Sequence, residues 1–207
     1  MEGFLSDIGP VIVLTILWLF YASWQKRTRS TYHSNGQLSE KGKRNLGGRK
    51  EGLWYYYYSN GHLKSKGSYD YGEINGYWEN YYENGQLKDK GWRRISISGT
   101  IDWKRGPWEA YYENGQLKEK FSYNEDGQLD GLSEEYLENG QLKEKCSWKG
   151  GEKDGPWEFY YENGQLNFRY SYKDGKREGL FEHYGENGKL YAKDTYSEDE
   201  LISEEEF

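Results

Sequence analysis

Between Gly106 and Tyr123 the chain reads GPWEAYYENGQLKEKFSY, and its apolar and polar positions alternate. Alternation at period two predicts strands rather than helices. Asn-Gly in the middle predicts a hairpin, and a two-residue type I′ loop needs φ > 0 at both residues, which Asn and Gly tolerate best. With Asn114-Gly115 as that loop, Trp108 faces Phe121, Glu109 faces Lys120, Ala110 faces Glu119, Tyr111 faces Lys118 and Tyr112 faces Leu117. One face then collects Trp108, Ala110, Tyr112, Leu117, Phe121 and Tyr123. The other collects Glu109, Tyr111, Lys118 and Lys120. A slip of one residue would mix the two sets, so the register is well specified.

The pattern recurs. Asn-Gly stands at Asn35-Gly36, Asn60-Gly61, Asn84-Gly85, Asn114-Gly115, Asn139-Gly140, Asn163-Gly164 and Asn187-Gly188, with spacings of 25, 24, 30, 25, 24 and 24. A glycine precedes each of the last six by eight residues: Gly52, Gly76, Gly106, Gly131, Gly155 and Gly179. A second set, Gly48, Gly72, Gly127, Gly151 and Gly175, marks the turns between hairpins. Seven hairpins predict about 14 strands in one meander. Glu79 with Lys90, Glu109 with Lys120, Glu134 with Lys145, Glu158 with Arg169 and Glu182 with Lys193 are predicted to pair within their hairpins on the charged face. Repeat 1, from Thr31 to Gly42, lacks its tryptophan and reads as a cap. The Gly131 unit has Ser133 where others have Trp, and the segment 91–105 carries six extra residues.

One segment breaks the alternation. Ile8–Trp24 is 17 residues without a charge, and extension to Phe4 adds only Asp7. A helix over about 4–24 would cross a hydrocarbon core. Trp18, Tyr21 and Trp24 would sit in an interfacial belt. A cleaved signal peptide needs a basic start, and Glu2 and Asp7 stand there instead. Lys26, Arg27 and Arg29 follow the run and place the repeats on the cytoplasmic side of a single-pass protein. The organisation expected is therefore an anchor with its basic flank at 1–29, repeats at 30–196 and an acidic, solvated tail at 197–207.

Composition sharpens this reading. The chain has 22 Tyr, 9 Trp and 27 Gly in 207 residues, and downstream of the apolar run there is no Val. Leu, Ile and Phe together are about 13% of residues 25–207, a level at which disorder would be suspected if aromatics did not replace them. The net charge of −7 argues against a nucleic-acid partner. Residues 30–196 carry −2, so the sheet has no net attraction to anionic lipid.

Candidate chemistry is thin. Glu109 with Glu113, and Glu158 with Glu162, could be read as acid–base pairs, but identical copies in several repeats point to a solvated charge ladder. His183 replaces a packing residue, His62 follows a turn, and Cys146 takes the place of Phe121 and Tyr170. No phosphate loop, nucleophile–His motif or metal-ligand spacing is present, so no enzyme, metal or cofactor is expected. The aromatic face offers Trp54, Tyr56, Tyr58, Trp78, Tyr82, Trp108, Tyr112, Trp157, Phe159 and Tyr161 as partner-binding candidates, and the insertion adds Trp92 and Trp103. The alternative for these rings is that they cover one another.

The recurring G-x-W-E-x-Y-Y-E-N-G-Q-L-K-E-K resembles the variant MORN repeat (membrane occupation and recognition nexus), over nearly all of Thr31–Tyr196. The resemblance implies an elongated, all-β, single-layer antiparallel meander of hairpins used as a scaffold. It brings an antitoxin or immunity role against a toxin as a narrower expectation. The leading expectation is a non-enzymatic, membrane-anchored scaffold that binds a protein partner. An envelope-associated protein that binds carbohydrate or lipid is the remaining alternative, and the sequence leaves homo-oligomerisation open.

Overall fold

The computed structural model describes residues 28–96, 98–99 and 102–207. They form one antiparallel sheet of sixteen strands. Seven hairpins carry Asn-Gly at their tips. They are β1 (Thr28–Tyr32) with β2 (Leu38–Arg44), β3 (Lys50–Tyr57) with β4 (Leu63–Asp70), β5 (Glu73–Tyr81) with β6 (Leu87–Ile95), and β7 (Asp102–Tyr111) with β8 (Leu117–Tyr123). Then come β9 (Gly131–Tyr136) with β10 (Leu142–Lys149), β11 (Glu152–Tyr160) with β12 (Leu166–Lys173), and, past the short β13 (Lys176–Arg177), β14 (Gly179–Tyr184) with β15 (Leu190–Ser197). β16 (Glu200–Glu206) closes the far edge. The expected transmembrane helix lies outside the described residues.

Two expectations about the ends are corrected. Thr28 and Arg29 belong to β1 rather than to a flank, and the acidic end is not a solvated tail. Its alternation lets Glu205 pair with Lys193 and Ser203 with Thr195, so it continues the meander as an exposed edge strand. Charge along such an edge discourages further strand addition.

The turn chemistry is also corrected. Tyr112 N donates to Gln116 O at 2.9 Å and Gly115 N to Tyr112 O at 2.9 Å, so the loop is Glu113-Asn114-Gly115. Only Gly115, at φ +85°, is left-handed. This is a three-residue loop whose glycine supplies the bulge conformation. Asn114 is selected for its side chain: Oδ1 accepts from Gln116 N at 2.9 Å, and Nδ2 donates to Glu138 O of the next hairpin at 2.9 Å. The far register stands as expected, Trp108 opposite Phe121 and Glu109 opposite Lys120, because a shift between Ala110 and Tyr111 absorbs the extra loop residue. Near the turn, Tyr111 faces Leu117 instead of Lys118. Two-residue turns with φ > 0 at both positions occur at the other end of the sheet, at Tyr71-Gly72, Gly150-Gly151, Asp174-Gly175 and Glu198-Asp199.

Each strand that carries a packing tryptophan has a two-residue bulge just before it. Gly67 pairs with Trp78 but Tyr69 with Ile74, which leaves Gly76-Tyr77 as the excess. Gly106-Pro107 and Gly155-Pro156 do the same in their strands. Such a bulge bends its strand and tolerates Pro.

The core is a row of indoles in a single layer. Trp54, Trp78, Trp108 and Trp157 are 0%, 5%, 4% and 5% exposed. Each faces, on the preceding strand, a residue with little side chain: Gly67 beside Trp78, Gly91 beside Trp108, Cys146 beside Trp157, and Gly42 under Trp54. A Cβ at Gly67 would lie 1.8 Å from Trp78, and one at Gly42 2.2 Å from Trp54. Where Ser133 replaces the tryptophan, the preceding strand carries Phe121. Where Phe181 replaces it, the preceding strand carries Tyr170. A larger residue on the preceding strand thus offsets part of the indole volume lost at Ser133 and Phe181.

Gly67→Ala is expected to destabilise the chain by about 1–3 kcal/mol through overpacking. Pairing it with Trp78→Leu should cost less than the sum of the two single changes, as measured by denaturant unfolding. Additive losses would show that the indole and the glycine do not depend on each other.

Candidate functional site

The two faces of the sheet differ in what they leave available. On the tryptophan face, lysine ammonium groups sit against the rings. Lys50 Nζ lies 4.3 Å from the Trp54 ring centroid and 4.6 Å from that of Tyr56. It donates to Glu40 Oε2 at 2.7 Å and to Tyr56 Oη at 2.6 Å, and Tyr56 and Tyr69 share a hydroxyl bond of 2.7 Å. Burial, then the Tyr69 bond, pushes the Tyr56 hydroxyl far above the usual phenol range. The same element recurs with Lys104 over Trp108 at 4.6 Å and Lys153 over Trp157 at 4.2 Å. Cation–π contact and a charged hydrogen bond thus fill the row from within.

The partner-binding candidates therefore divide. Trp54, Trp78, Trp108 and Trp157 are buried and present almost no surface. Tyr56 packs between Trp54 and Trp78, and Phe159 against Phe168. Tyr58, Tyr82, Tyr112 and Tyr161 each donate to a carbonyl of the next hairpin, at 2.8–2.9 Å, so they tie repeats together. The insertion lengthens β6 and β7, where Arg93 and Asp102 form a paired bridge at 2.7 and 2.5 Å. Trp92 accepts the Trp108 Nε1 bond on its carbonyl at 3.0 Å. Trp103 packs on the Gly127 turn, and its Nε1 is buried without a partner.

The row is open where Ser133 stands in place of a tryptophan. Around Ser133 a hollow of about 340 Å³ opens between Phe121, Tyr123, Cys146 and Trp148, with Glu119, Glu135 and Glu144 in its lining. Burial pushes the Glu144 carboxyl up, and burial pushes the Cys146 thiol up to about 11, which keeps it inert at neutral pH.

The charged face holds a ladder, but its ion pairs cross the junctions between hairpins. Glu79 bonds Lys66 at 2.8 Å, Glu109 bonds Lys90 at 2.8 Å, Glu134 bonds Lys120 at 2.7 Å, and Glu182 bonds Arg169. Each glutamate also accepts from a tyrosine two residues on: Tyr81, Tyr111, Tyr136 and Tyr184. The pairs expected within hairpins are cross-strand neighbours there, but the carboxylates turn to the preceding strand.

Beside that ladder runs a stripe that sequence reasoning missed. Leu53, Tyr77, Leu132 and Leu180 are 48%, 50%, 45% and 54% exposed, and Pro107 and Pro156 are exposed at the equivalent position. Opposite them stand Ser68, Trp92, Ser147, Thr195, Ser122 and Ser171. The signal was present: each stripe residue follows the glycine eight residues before Asn-Gly. A recurring apolar position on the polar face is what should have drawn notice.

The acid–base candidates do not assemble. Glu113 and Glu162 lie in turns, away from the strand positions of Glu109 and Glu158. His183 Nε2 bonds Asp194 Oδ2 at 2.9 Å, and His62 Nδ1 bonds Glu83 O at 2.6 Å. Among the described residues no group of His, Cys, Asp or Glu could hold a metal ion.

The MORN repeat variant model matches residues 50–71, 74–91, 104–125, 129–149, 153–174 and 177–198, more than half of the chain. The chain belongs to the MORN repeat variant family. The matches cover six of the seven hairpins and leave out β1–β2, the unit read as a cap. Comparison with curated proteins finds no match. In this MORN repeat chain the matched glycines, tryptophans and Asn-Gly turns build the sheet.

The ladder makes stability depend on acid. Lys90, then Tyr111, holds Glu109 below its ordinary 4.5, and Arg169 does the same for Glu182. For Glu79 and Glu134 burial pulls upward, and the bonds to Lys66 or Lys120 and to tyrosine outweigh it. Their stabilisation is present above the ordinary carboxylate value and is lost as pH falls through the lowered ones. The urea midpoint is expected to fall as pH drops below about 4.5, with a shallower fall in Glu109→Gln. An equally steep acid loss in Glu109→Gln would assign the effect elsewhere.

Proposed function

We propose that this protein is a non-enzymatic scaffold that binds a protein partner along the charged face of its sheet. The observation that carries this is the exposed apolar stripe of Leu53, Tyr77, Pro107, Leu132, Pro156 and Leu180. A single-layer sheet has no second layer to cover it. Exposed apolar positions that alternate with small hydroxyl residues and stand beside charges suit an interaction surface. The partner that fits is a protein segment with an apolar edge flanked by charges of both signs, since the neighbouring ladder alternates Lys and Glu.

Membrane anchoring belongs to the same proposal and rests on the uncharged run Ile8–Trp24 with its basic flank. Among the described residues no helix is long and apolar enough to cross a membrane, and the run itself lies outside them. Toxin neutralisation would be a special case of partner binding, and it rests on family resemblance alone.

Affinity purification with the full chain is expected to retain a reproducible protein partner. The triple variant Leu53→Asp, Tyr77→Asp, Leu180→Asp should lose it with stability changed by less than about 0.5 kcal/mol per site. Equal recovery by both chains would remove the stripe from the proposal. Deleting residues 1–29 should release the protein from the membrane fraction, and unchanged fractionation would end the anchoring claim.

A further inference from the structure

The first complete unit shows how this sheet holds a cation. Glu40, Trp54, Tyr56 and Tyr69 surround the Lys50 ammonium, which donates to Glu40 at 2.7 Å over the Trp54 ring. The repeat register maps these positions onto Glu119, Ser133, Glu135 and Trp148, and it maps Lys50 onto Leu129. The fifth unit therefore keeps the carboxylate and an aromatic wall, but it lacks both the ammonium and the indole beneath it. A second carboxylate, Glu135, stands where Tyr56 would be, and Glu144 adds a third from the next strand.

The result is the hollow of about 340 Å³ at Ser133. Lys143 reaches Glu135 at 2.7 Å. Among the described residues, neither Glu119 nor Glu144 has an ion pair. Burial raises Glu144 against the opposing pull of the Trp157 indole, Lys143 and Lys153. Trp148 offers a ring beside the carboxylates, as Tyr69 does for Lys50, while Tyr123 carries Lys104 at 5.6 Å.

We propose that the Ser133 hollow is a binding site for the guanidinium or ammonium group of an arginine or lysine side chain on a protein partner, which takes the place that Lys50 fills in the first complete unit. Aromatic walls with carboxylates at their rim favour a cation that brings its own apolar stem. The hollow lies on the face opposite the apolar stripe, so it is a separate contact and does not depend on the stripe.

The test is calorimetric titration of the full chain at low salt with the peptide Ac-Gly-Arg-Gly-NH2, its lysine analogue, the neutral citrulline analogue, and free spermine. The basic peptides are expected to bind, and citrulline is not. The double variant Glu119→Gln, Glu144→Gln should weaken binding by about tenfold or more. Leu129→Lys, which supplies the ammonium from within, should abolish it while the melting transition stays in place. If Leu129→Lys fails to fold, the glutamine variant decides. Equal binding of citrulline, unchanged binding in the glutamine variant, or binding of spermine without the peptides would overturn the proposal. Peptide binding without any retained protein partner would leave this site standing and end the scaffold reading.

Discussion

The constraint on which this fold depends is that an indole must lie flat on the backbone of the strand before it. A sheet of one layer has no opposing sheet or helix to bury against, so its core must be made within the layer. Tryptophan supplies enough area to cover two strands, but only if the neighbour gives up its Cβ. Gly42, Gly67 and Gly91 give it up, and Cys146 is the largest residue tolerated under an indole here. Once the ring lies down, it also shields backbone from water. Trp54 and Trp108 donate to the carbonyls of Lys43 and Trp92. The aliphatic poverty of the sequence follows from this geometry, because branched aliphatics cannot span two strands.

The remaining interactions join hairpin to hairpin rather than strand to strand within a hairpin. Among the described residues, four tip tyrosines, five turn asparagines and four ladder glutamates reach a neighbouring unit. Each hairpin alone would leave an indole uncovered and a carboxylate unpaired. Repeat stability is then mostly a matter of nearest neighbours. The fifth unit is a weak point in this chain of couplings. Leu137 stands where Tyr112 and Tyr161 make their bonds, and the β8–β9 register is short.

Much of this was legible in the sequence, for physical reasons. Register is fixed by the two-residue period, so Trp108 opposite Phe121 could be read correctly even though the loop had three residues rather than two. The loop was misread because Asn-Gly is ambiguous. The same pair serves a type I′ turn through both backbones, or a glycine bulge in which Asn acts through its side chain. The direction of the ion pairs was not legible, because Glu109 has a lysine neighbour on each side in the same row and only side-chain geometry selects Lys90. The stripe and the Trp–Gly complement were legible in principle. They require comparing equivalent positions across units, Gly42, Gly67, Gly91, Phe121, Cys146 and Tyr170 against Trp54, Trp78, Trp108, Ser133, Trp157 and Phe181, instead of reading one unit closely.

That comparison also locates where function departs from architecture. A residue that repeats in every unit answers a demand of the sheet. A residue that differs once, with its neighbour adjusted to match, answers some other demand. Between β6 and β10 the departures crowd together: the lengthened β6–β7 pair, Ala110 where Tyr56 and Phe159 stand, and Ser133 with Phe121 enlarged beside it. Phe121 restores part of the lost indole volume, which preserves the layer. It does nothing to neutralise Glu119, which holds the place of Glu40 without the lysine that pairs with Glu40. Packing compensation without a new ammonium is what separates a tolerated substitution from a site, since drift that removed Lys50's counterpart would have had no reason to place Glu135 beside Glu119.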